Sequence, residues 1–365
     1  MIGWRFSEYF KNAEDDQPFN KLFNLFQELI LYASGDVKEA LSWLTELDRE
    51  LELTDETYGV PDFIDDLIDQ GYLQAPPDNL DKLELSSKLE GAIRKKALTD
   101  LFGKIKKSKR GSHNTKQDGR GDEYTADLRP YEFGDKLEHV AITESIKNAY
   151  INHGIEQFEL RYEDLEVKET YYQSQMSTVL MIDISHSMIL YGEDRITPAK
   201  KIALALSEYI TKSFPKDTLD IIVFGDDAWK VEVRDIPYLE VGPFHTNTVA
   251  GLELAQEILR RRKNPNKQIF MITDGKPTCI KRGKKYYKNS FGLDRMIVNR
   301  TLNLANKLRK LMIPVTTFMI ARDPYLMEFV AHFTKANNGK AFYSNISGLG
   351  EFIFRDYKNN KNRRF

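Results

Sequence analysis

Ser177-Thr178-Val179-Leu180-Met181-Ile182-Asp183-Ile184-Ser185-His186-Ser187 joins an apolar run to a sudden group of oxygen-bearing side chains. A short continuous apolar run such as Val179 to Ile182, bounded by polar residues, reads as a strand buried on both faces. In open α/β sheets, ligands sit beyond the carboxyl ends of such strands, where the strand order reverses. Asp183, Ser185 and Ser187 therefore fall on the loop where a ligand is expected. One carboxylate and two hydroxyls are hard oxygen donors. They suit Mg²⁺, which takes octahedral oxygen ligands and keeps several waters, with Mn²⁺ as the alternative.

Two later stretches complete the set. Phe244-His245-Thr246-Asn247-Thr248 precedes a helical pattern and offers further hydroxyls. Lys267 to Gly275 is a second buried-strand pattern that ends in Thr273-Asp274-Gly275. Serines and aspartates are ordinary loop and cap residues, so the first loop alone says little. The ordered set of three strand-end loops says more. It resembles a von Willebrand factor A domain, whose metal-ion-dependent adhesion site is D-x-S-x-S, then a threonine, then the aspartate of a T-D-G. The resemblance implies metal ligation by Asp183, Ser185, Ser187, Thr246 and Asp274. Thr248 is the fallback for Thr246. It further implies an ion held partly through water, with one position open to an acidic residue of a partner.

The 365 residues suffice for two domains, or for one domain with an extension. Hydrophobic residues make up 41%, enough for a sizeable core. A formal charge of −2 argues against bulk electrostatic binding of nucleic acid or anionic membrane. Cys279 is the single cysteine, which excludes an internal disulfide and fits a reducing compartment. It reads as a small loop residue. Met1 to Asp16 lacks the basic and apolar regions of a signal peptide, and no window is apolar enough to span a membrane. The expectation is a soluble, cytoplasmic protein.

Residues 1–105 read as a helical N-terminal domain. Phe19, Leu22, Phe23, Phe26 and Leu29 recur at helical spacing, as do Leu41, Leu44 and Leu47. A helix over Pro61 to Leu73 stopping at Gly71, a short extended stretch at Leu83 to Ser86, and a helix from Ser87 to Ile105 look winged-helix-like. That raises DNA binding as a rival function. Asp65, Asp66, Asp69, Asp78 and Asp81 make the segment acidic, where a DNA-reading face should be basic.

Residues 106–122 read as a basic, glycine-rich linker, with a basic clamp for an acidic partner or a nucleotide phosphate as the sharper alternative. No Walker A pattern occurs anywhere in the chain, which argues against self-contained ATP hydrolysis. Residues 123–176 read as a lead-in segment, with a short helix over Ile142 to Asn152 and strand-like alternation at Phe158 to Leu160 and Leu165 to Val167. The Arg129-Pro130-Tyr131-Glu132-Phe133-Gly134-Asp135 string and the pattern from His113 to Asp122 resemble a family of uncharacterised bacterial proteins with a C-terminal A domain. The Y-x-x-G-D string is also similar to proteins paired with MoxR-type AAA+ ATPases. Arg129, Glu132 and Asp135 are either partner contacts or residues that knit the segment to its own domain.

Residues 177–357 alternate between strand and helix patterns, and 358–365 form a basic tail. Strands are expected at Leu219 to Phe224, Ile269 to Thr273, Val315 to Ile320 and Ala341 to Tyr343. Helices are expected at Pro198 to Phe214, Thr248 to Arg262 and Asp294 to Met312, then after Pro324 and from Gly348. This pattern predicts a doubly wound, mainly parallel α/β sheet, Rossmann-like in layout. Asp226 and Asp227 read as solvated loop acids, with a supporting role behind the ion as the alternative. Arg260 to Lys263 complement a helix dipole. Lys281 to Lys288 form a basic insertion close to Asp274.

The functional expectation is a non-enzymatic, Mg²⁺-dependent protein-binding adaptor that docks an acidic residue of a partner. The resemblance implies an AAA+ ATPase of the MoxR or magnesium-chelatase I-subunit kind. A metal-dependent hydrolase using His186 or His245 as general base is one alternative. A winged-helix DNA-binding regulator with an A-domain sensor is the other.

Overall fold

In the computed structural model, the structure describes residues 18–55, 57–74, 83–102, 123–132, 135, 140–154, 159–171, 175–192, 194–274, 276–320, 324–343 and 356–357. In chain order the elements begin with α1 (Pro18–Tyr32), α2 (Val37–Leu51), α3 (Val60–Asp69), β1 (Leu73–Gln74), β2 (Glu84–Leu85) and α4 (Ser87–Phe102). Then come β3 (Glu123–Pro130), α5 (Ile142–His153), β4 (Glu166–Tyr171), β5 (Met176–Asp183), α6 (Ile196–Ser213), β6 (Thr218–Phe224) and β7 (Ala228–Val231). The last are α7 (Thr248–Arg261), β8 (Asn266–Thr273), β9 (Cys279–Arg282), β10 (Lys285–Lys288), α8 (Arg295–Lys310), β11 (Val315–Met319), α9 (Pro324–Asn337) and β12 (Lys340–Tyr343). The linker at 106–122, the tail at 358–365 and the helix expected from Gly348 lie outside the described residues, apart from helical Asp356 and Tyr357.

The chain divides into two compact units, residues 1–106 with 176–358 and residues 107–175 with 359–364. In the first, a six-stranded sheet runs in the order β12-β11-β8-β5-β6-β7. All neighbours are parallel except β7, which pairs antiparallel with β6. Counted from β5, this is the doubly wound order 3-2-1-4-5-6, and it reverses between β5 and β8. Every residue of β5 is buried, because a central parallel strand is covered by helices on both faces.

Alternation along the strands feeds two cores. Leu180, Ile182, Phe270, Ile272 and Phe318 face α6 and the N-terminal helices. Val179, Met181, Ile269, Met271 and Met319 face α7, α8 and α9. The N-terminal helices extend the first of these cores: α4 and α1 pack on the side of α6 that faces away from the sheet. That is why α6 buries residues around its whole circumference, Lys200 included. The Lys200 ammonium donates to the carbonyl of Leu31 at 3.1 Å, to Ser34 Oγ at 3.1 Å and to the carbonyl of Pro237 at 3.2 Å. A cation at the C-terminal end of α1 also complements that helix's dipole. Close by, Gly35 has φ +86°, and a Cβ there would lie 2.2 Å from Tyr238 Cδ1. The sequence patterns gave no sign of these contacts.

β1 and β2 form a short antiparallel pair between α3 and α4: β2 is the extended stretch expected at Leu83 to Ser86, whereas β1 begins at Leu73, where the helix is expected to end. In the second unit, β3 and β4 pair antiparallel, with α5 between them in sequence. Residues 159 and 160, expected to be strand, are irregular, and a 3₁₀ turn at Tyr162–Asp164 follows them. The turn's Asp164 carboxylate accepts from the Asn152 amide and the Arg161 N–H, so the local alternation gives way to a side-chain-locked turn. Arg129 donates two bonds to the Asp135 carboxylate at 2.8 and 2.7 Å, and the Glu132 N–H donates to it at 2.9 Å. These residues knit their own segment together.

Candidate functional site

The reversal of strand order brings the ends of β5 and β8 together, and the loop before α7 closes over them. Asp183, the last residue of β5, accepts the Ser185 N–H at 2.9 Å and the Thr273 hydroxyl at 2.6 Å. The Ser185 and Ser187 hydroxyls are hydrogen-bonded at 3.0 Å. Thr246 Oγ1 donates to Ser185 Oγ at 2.9 Å. The Ser187 hydroxyl reaches the Asp274 carboxylate. The five expected residues thus stand together as two carboxylates and three hydroxyls. Asp183, Ser185, Thr246 and Asp274 are each at most 4% exposed. Thr248 is the first residue of α7, and no hydrogen bond joins its side chain to the other four.

Desolvation raises the pKa of Asp183, and the charge of Asp274 raises it further. Desolvation raises Asp274 as well, against the opposing pull of Ser187, the Lys276 N–H and the guanidinium of Arg195, which lies 3.9 Å away. Two buried carboxylates that repel each other are costly to keep ionised, and a divalent cation between them offsets that cost. The donor chemistry therefore fits Mg²⁺. Among the described residues no group of three or more His, Cys, Asp or Glu is placed to hold a metal, so hydroxyls would have to supply much of any ligation.

The loop carrying Thr246 is anchored on every side. Its N–H donates to Thr278 Oγ1 at 2.9 Å, and its carbonyl accepts from the N–H groups of Thr278 and Cys279 at 3.0 and 3.1 Å. Asn247 caps α7 through Ala250 N–H and donates to the Asp226 carbonyl. The Asp226 carboxylate accepts from the His245 N–H at 2.9 Å and from Lys288 Nζ at 2.6 Å. Asp226 is thus a tether of this loop rather than a solvated acid. Asp227 accepts from Lys281 and from the Tyr286 hydroxyl. Arg262, expected only to complement the dipole of α7, donates three bonds to buried Asp220. Cys279 lies at the start of β9 rather than in a loop, and burial pushes its thiol up to about 11.

His186 is exposed, and His245 Nδ1 is buried without a hydrogen-bond partner among the described residues. Desolvation and Lys288 push the His245 imidazole below its usual range, against the pull of Asp226. Sequence patterns singled out neither Thr273 nor Thr278 nor Arg195. Thr273 was readable only as part of T-D-G, and the other two reach the site through long-range contacts.

The family model described as "Rv0959-like protein, vWA domain" matches residues 176–358. That described as "Rv0959-like protein, third domain" matches residues 123–170. The uncharacterized proteins Rv0959 of Mycobacterium tuberculosis and Mb0984 of Mycobacterium bovis are each 29% identical over 301 residues. Each alignment covers 80% of this chain and 44% of the relative, so the chain spans less than half the length of these relatives. Among solved structures, the SpRpn10 VWA domain is 15% identical with a TM-score of 0.37, covering 50% of this chain and 95% of that one. The vWF domain of the type V pili tip protein Mfa5 from Porphyromonas gingivalis is 12% identical with a TM-score of 0.41, covering 53% and 98%.

Proposed function

Because the chain belongs to the Rv0959-like family of vWA-domain proteins, we propose that it is a non-enzymatic, Mg²⁺-dependent protein-binding adaptor of the bacterial cytoplasm. Asp183, Ser185, Ser187, Thr246 and Asp274 would hold the ion, with Mn²⁺ as a possible substitute. When bound, the metal supplies an electrophilic position open to a carboxylate oxygen of a partner. The observation that carries this reading is the buried cluster of two carboxylates and three hydroxyls at the point where strand order reverses. The protein's own part is positional. Thr273 and the Ser185 N–H orient the Asp183 carboxylate. Thr278 and Asp226 hold the Thr246 loop.

The partner proposed is an AAA+ ATPase of the MoxR or magnesium-chelatase I-subunit kind, on the resemblance carried by Tyr131 to Asp135. A catalytic role has less support. Among the described residues neither His186 nor His245 hydrogen-bonds to any of the five. Among those residues, too, no helix is long and apolar enough to cross a membrane, which fits a partner met in solution.

The test is affinity capture from bacterial lysate on the tagged full chain, with Mg²⁺, with EDTA, and with Asp183→Ala. Capture of an AAA+ ATPase only with Mg²⁺ and intact Asp183 is the expected result. Equal capture in all three conditions would remove the metal from the docking reaction.

A further inference from the structure

The crossover from β8 to β11 is strongly basic. Residues 275–320 hold eleven lysines and arginines and a single acid, Asp294, in a protein whose formal net charge is −2. Asp294 is committed to structure: it caps α8 through the Met296 and Ile297 N–H groups and accepts from Tyr287 and Asn289. Of the eleven cations, Lys281, Lys288 and Arg300 have an acid within 4 Å, in Asp227, Asp226 and Glu253. That leaves eight without an ion partner among the described residues. Lys307, Arg309 and Lys310 complement the dipole of α8 from its last turn, but like charges gathered on one crossover repel one another, so folding alone gives no reason for Arg282, Lys284 and Lys285.

The geometry ties this crossover to the metal-site loops. β9 and β10 form an antiparallel hairpin whose base is closed by the Asn289 N–H donating to the Thr278 carbonyl at 2.9 Å. Thr278 is also the residue that brackets Thr246. Arg282, Lys284 and Lys285 project at the hairpin's exposed tip. Phe291 follows, 93% exposed, an unusual position for a large apolar side chain. From there α8 continues the positive surface through exposed Arg295, Lys307 and Lys310, beside a cleft floored by Val249 and Leu304.

We infer that the β9–β10 hairpin and α8 form an extended docking surface for an acidic segment of a protein partner. One carboxylate of that segment reaches the metal, its neighbours pair with Arg282, Lys284 and Lys285, and its apolar residues cover Phe291. This deepens the adaptor reading and rests on it for the metal contact alone. Charge complementarity fixes the sign of the occupant. A short acidic segment suits the surface better than a long polyanion, because residues 36–69 carry twelve acids and two bases and would repel one. That same acidic stretch is what a second copy of this chain would offer, which makes self-association a competing outcome.

The experiment is fluorescence anisotropy of a labelled peptide of alternating Glu and Ser against the full chain with Mg²⁺. It is run at low and physiological salt and repeated with a single-stranded oligonucleotide of equal charge. Arg282→Glu/Lys284→Glu/Lys285→Glu should weaken peptide binding by about tenfold or more, since each lost exposed pair contributes a fraction of a kcal/mol and reversal adds repulsion. Lys307→Glu/Lys310→Glu should weaken it by about threefold. All five positions are exposed, and circular dichroism checks that the variants fold. Asp183→Ala separates the two readings. If it leaves the affinity intact while the triple variant weakens it, the metal contact fails and the basic surface stands. If the triple variant binds within roughly twofold of the native chain, the surface is overturned. Tighter binding of the oligonucleotide, or salt-sensitive self-association abolished by the triple variant, would also overturn it.

Discussion

Replacing Lys200 by methionine should change how stability depends on pH more than it changes stability at neutrality. The ammonium is fully buried, and desolvation holds its pKa down at about 8, against the pull of Asp194 and Glu240. In the unfolded chain a lysine titrates near 10.4. The gap corresponds to about 3 kcal/mol at ~1.4 kcal/mol per pH unit. Below pH 8 both states carry the proton, and this cost is constant. Between pH 8 and about 10 the folded state releases the proton while the unfolded state keeps it, so stability rises with pH. Tyr32 and Tyr209, both pushed up by burial to about 12, act in the opposite sense above pH 10, because only the unfolded state then loses their protons. Those contributions cancel in the difference between native protein and Lys200→Met. That difference should move by about 2 kcal/mol in favour of the native protein from pH 8 to pH 10. At pH 7 the variant escapes the desolvation cost but leaves the Leu31 and Pro237 carbonyls without their donor. Each orphaned carbonyl costs about 1–3 kcal/mol, so the two effects nearly offset. Urea unfolding followed by tryptophan fluorescence at pH 7, 8, 9 and 10 measures the difference. A difference that stays flat across that range would refute the argument.

Five further outcomes are expected. Mg²⁺ should raise the melting temperature, by about 2.7 kcal/mol of stabilisation at a hundredfold excess over Kd, and Asp183→Ala should abolish the shift in scanning calorimetry. With Asp183 and Asp274 both raised, the metal-free fold holds protons there that the unfolded chain has lost, so its stability falls as pH rises above 4, and the Mg²⁺ shift should grow from pH 5 to pH 7. Gly35→Ala should cost about 2 kcal/mol or more in thermal melts, since alanine is strained at φ +86° and its Cβ would meet the Tyr238 ring. Arg262→Ala should cost about 3 kcal/mol in urea unfolding by leaving Asp220, 2% exposed, with Lys230 as its remaining ion partner. Hydrogen exchange should show Mg²⁺ protecting amides of β9 and β10 more than those of α6, and equal protection would count against the mobility argued below.

The sheet and the five-residue cluster were legible because both rest on local signals. Val179 to Ile182 and Ile269 to Ile272 are apolar runs with abrupt polar ends, and each strand aligns its own loop residues. Thr246 could be placed before Thr248 only by resemblance, and the structure separates them because Asn247, one residue on, caps α7. What the patterns left out depends on long-range pairing. β7, β9 and β10 are four-residue strands too short to show a period, and the basic insertion that carries β9 and β10 looks the same in sequence whether or not it forms a hairpin. In sequence, Lys200 carries no signal beyond its place near the start of the helix over Pro198 to Phe214. It is buried because helices more than 160 residues earlier in sequence cover it, as its contacts to Leu31 and Ser34 show.

The supports of the cluster are unequal, and that bears on where it can adjust. The loop carrying Ser185 and Ser187 leads into α6, which is covered by the sheet on one side and by α1 and α4 on the other. Moving α6 would break the three bonds of Lys200. Packed interiors deform in discrete steps rather than continuously, so this side is effectively fixed. The other side differs. Thr246 is braced through Thr278 and Cys279 at the base of the β9–β10 hairpin, whose charged clasps to Asp226 and Asp227 are solvent-exposed on at least one partner and so contribute little. Local opening is drawn from segments with few buried contacts and exposed hydrogen bonds. Any rearrangement that accompanies metal or partner binding is therefore concentrated in residues 276–288, on the same hairpin that carries the unpaired positive charge.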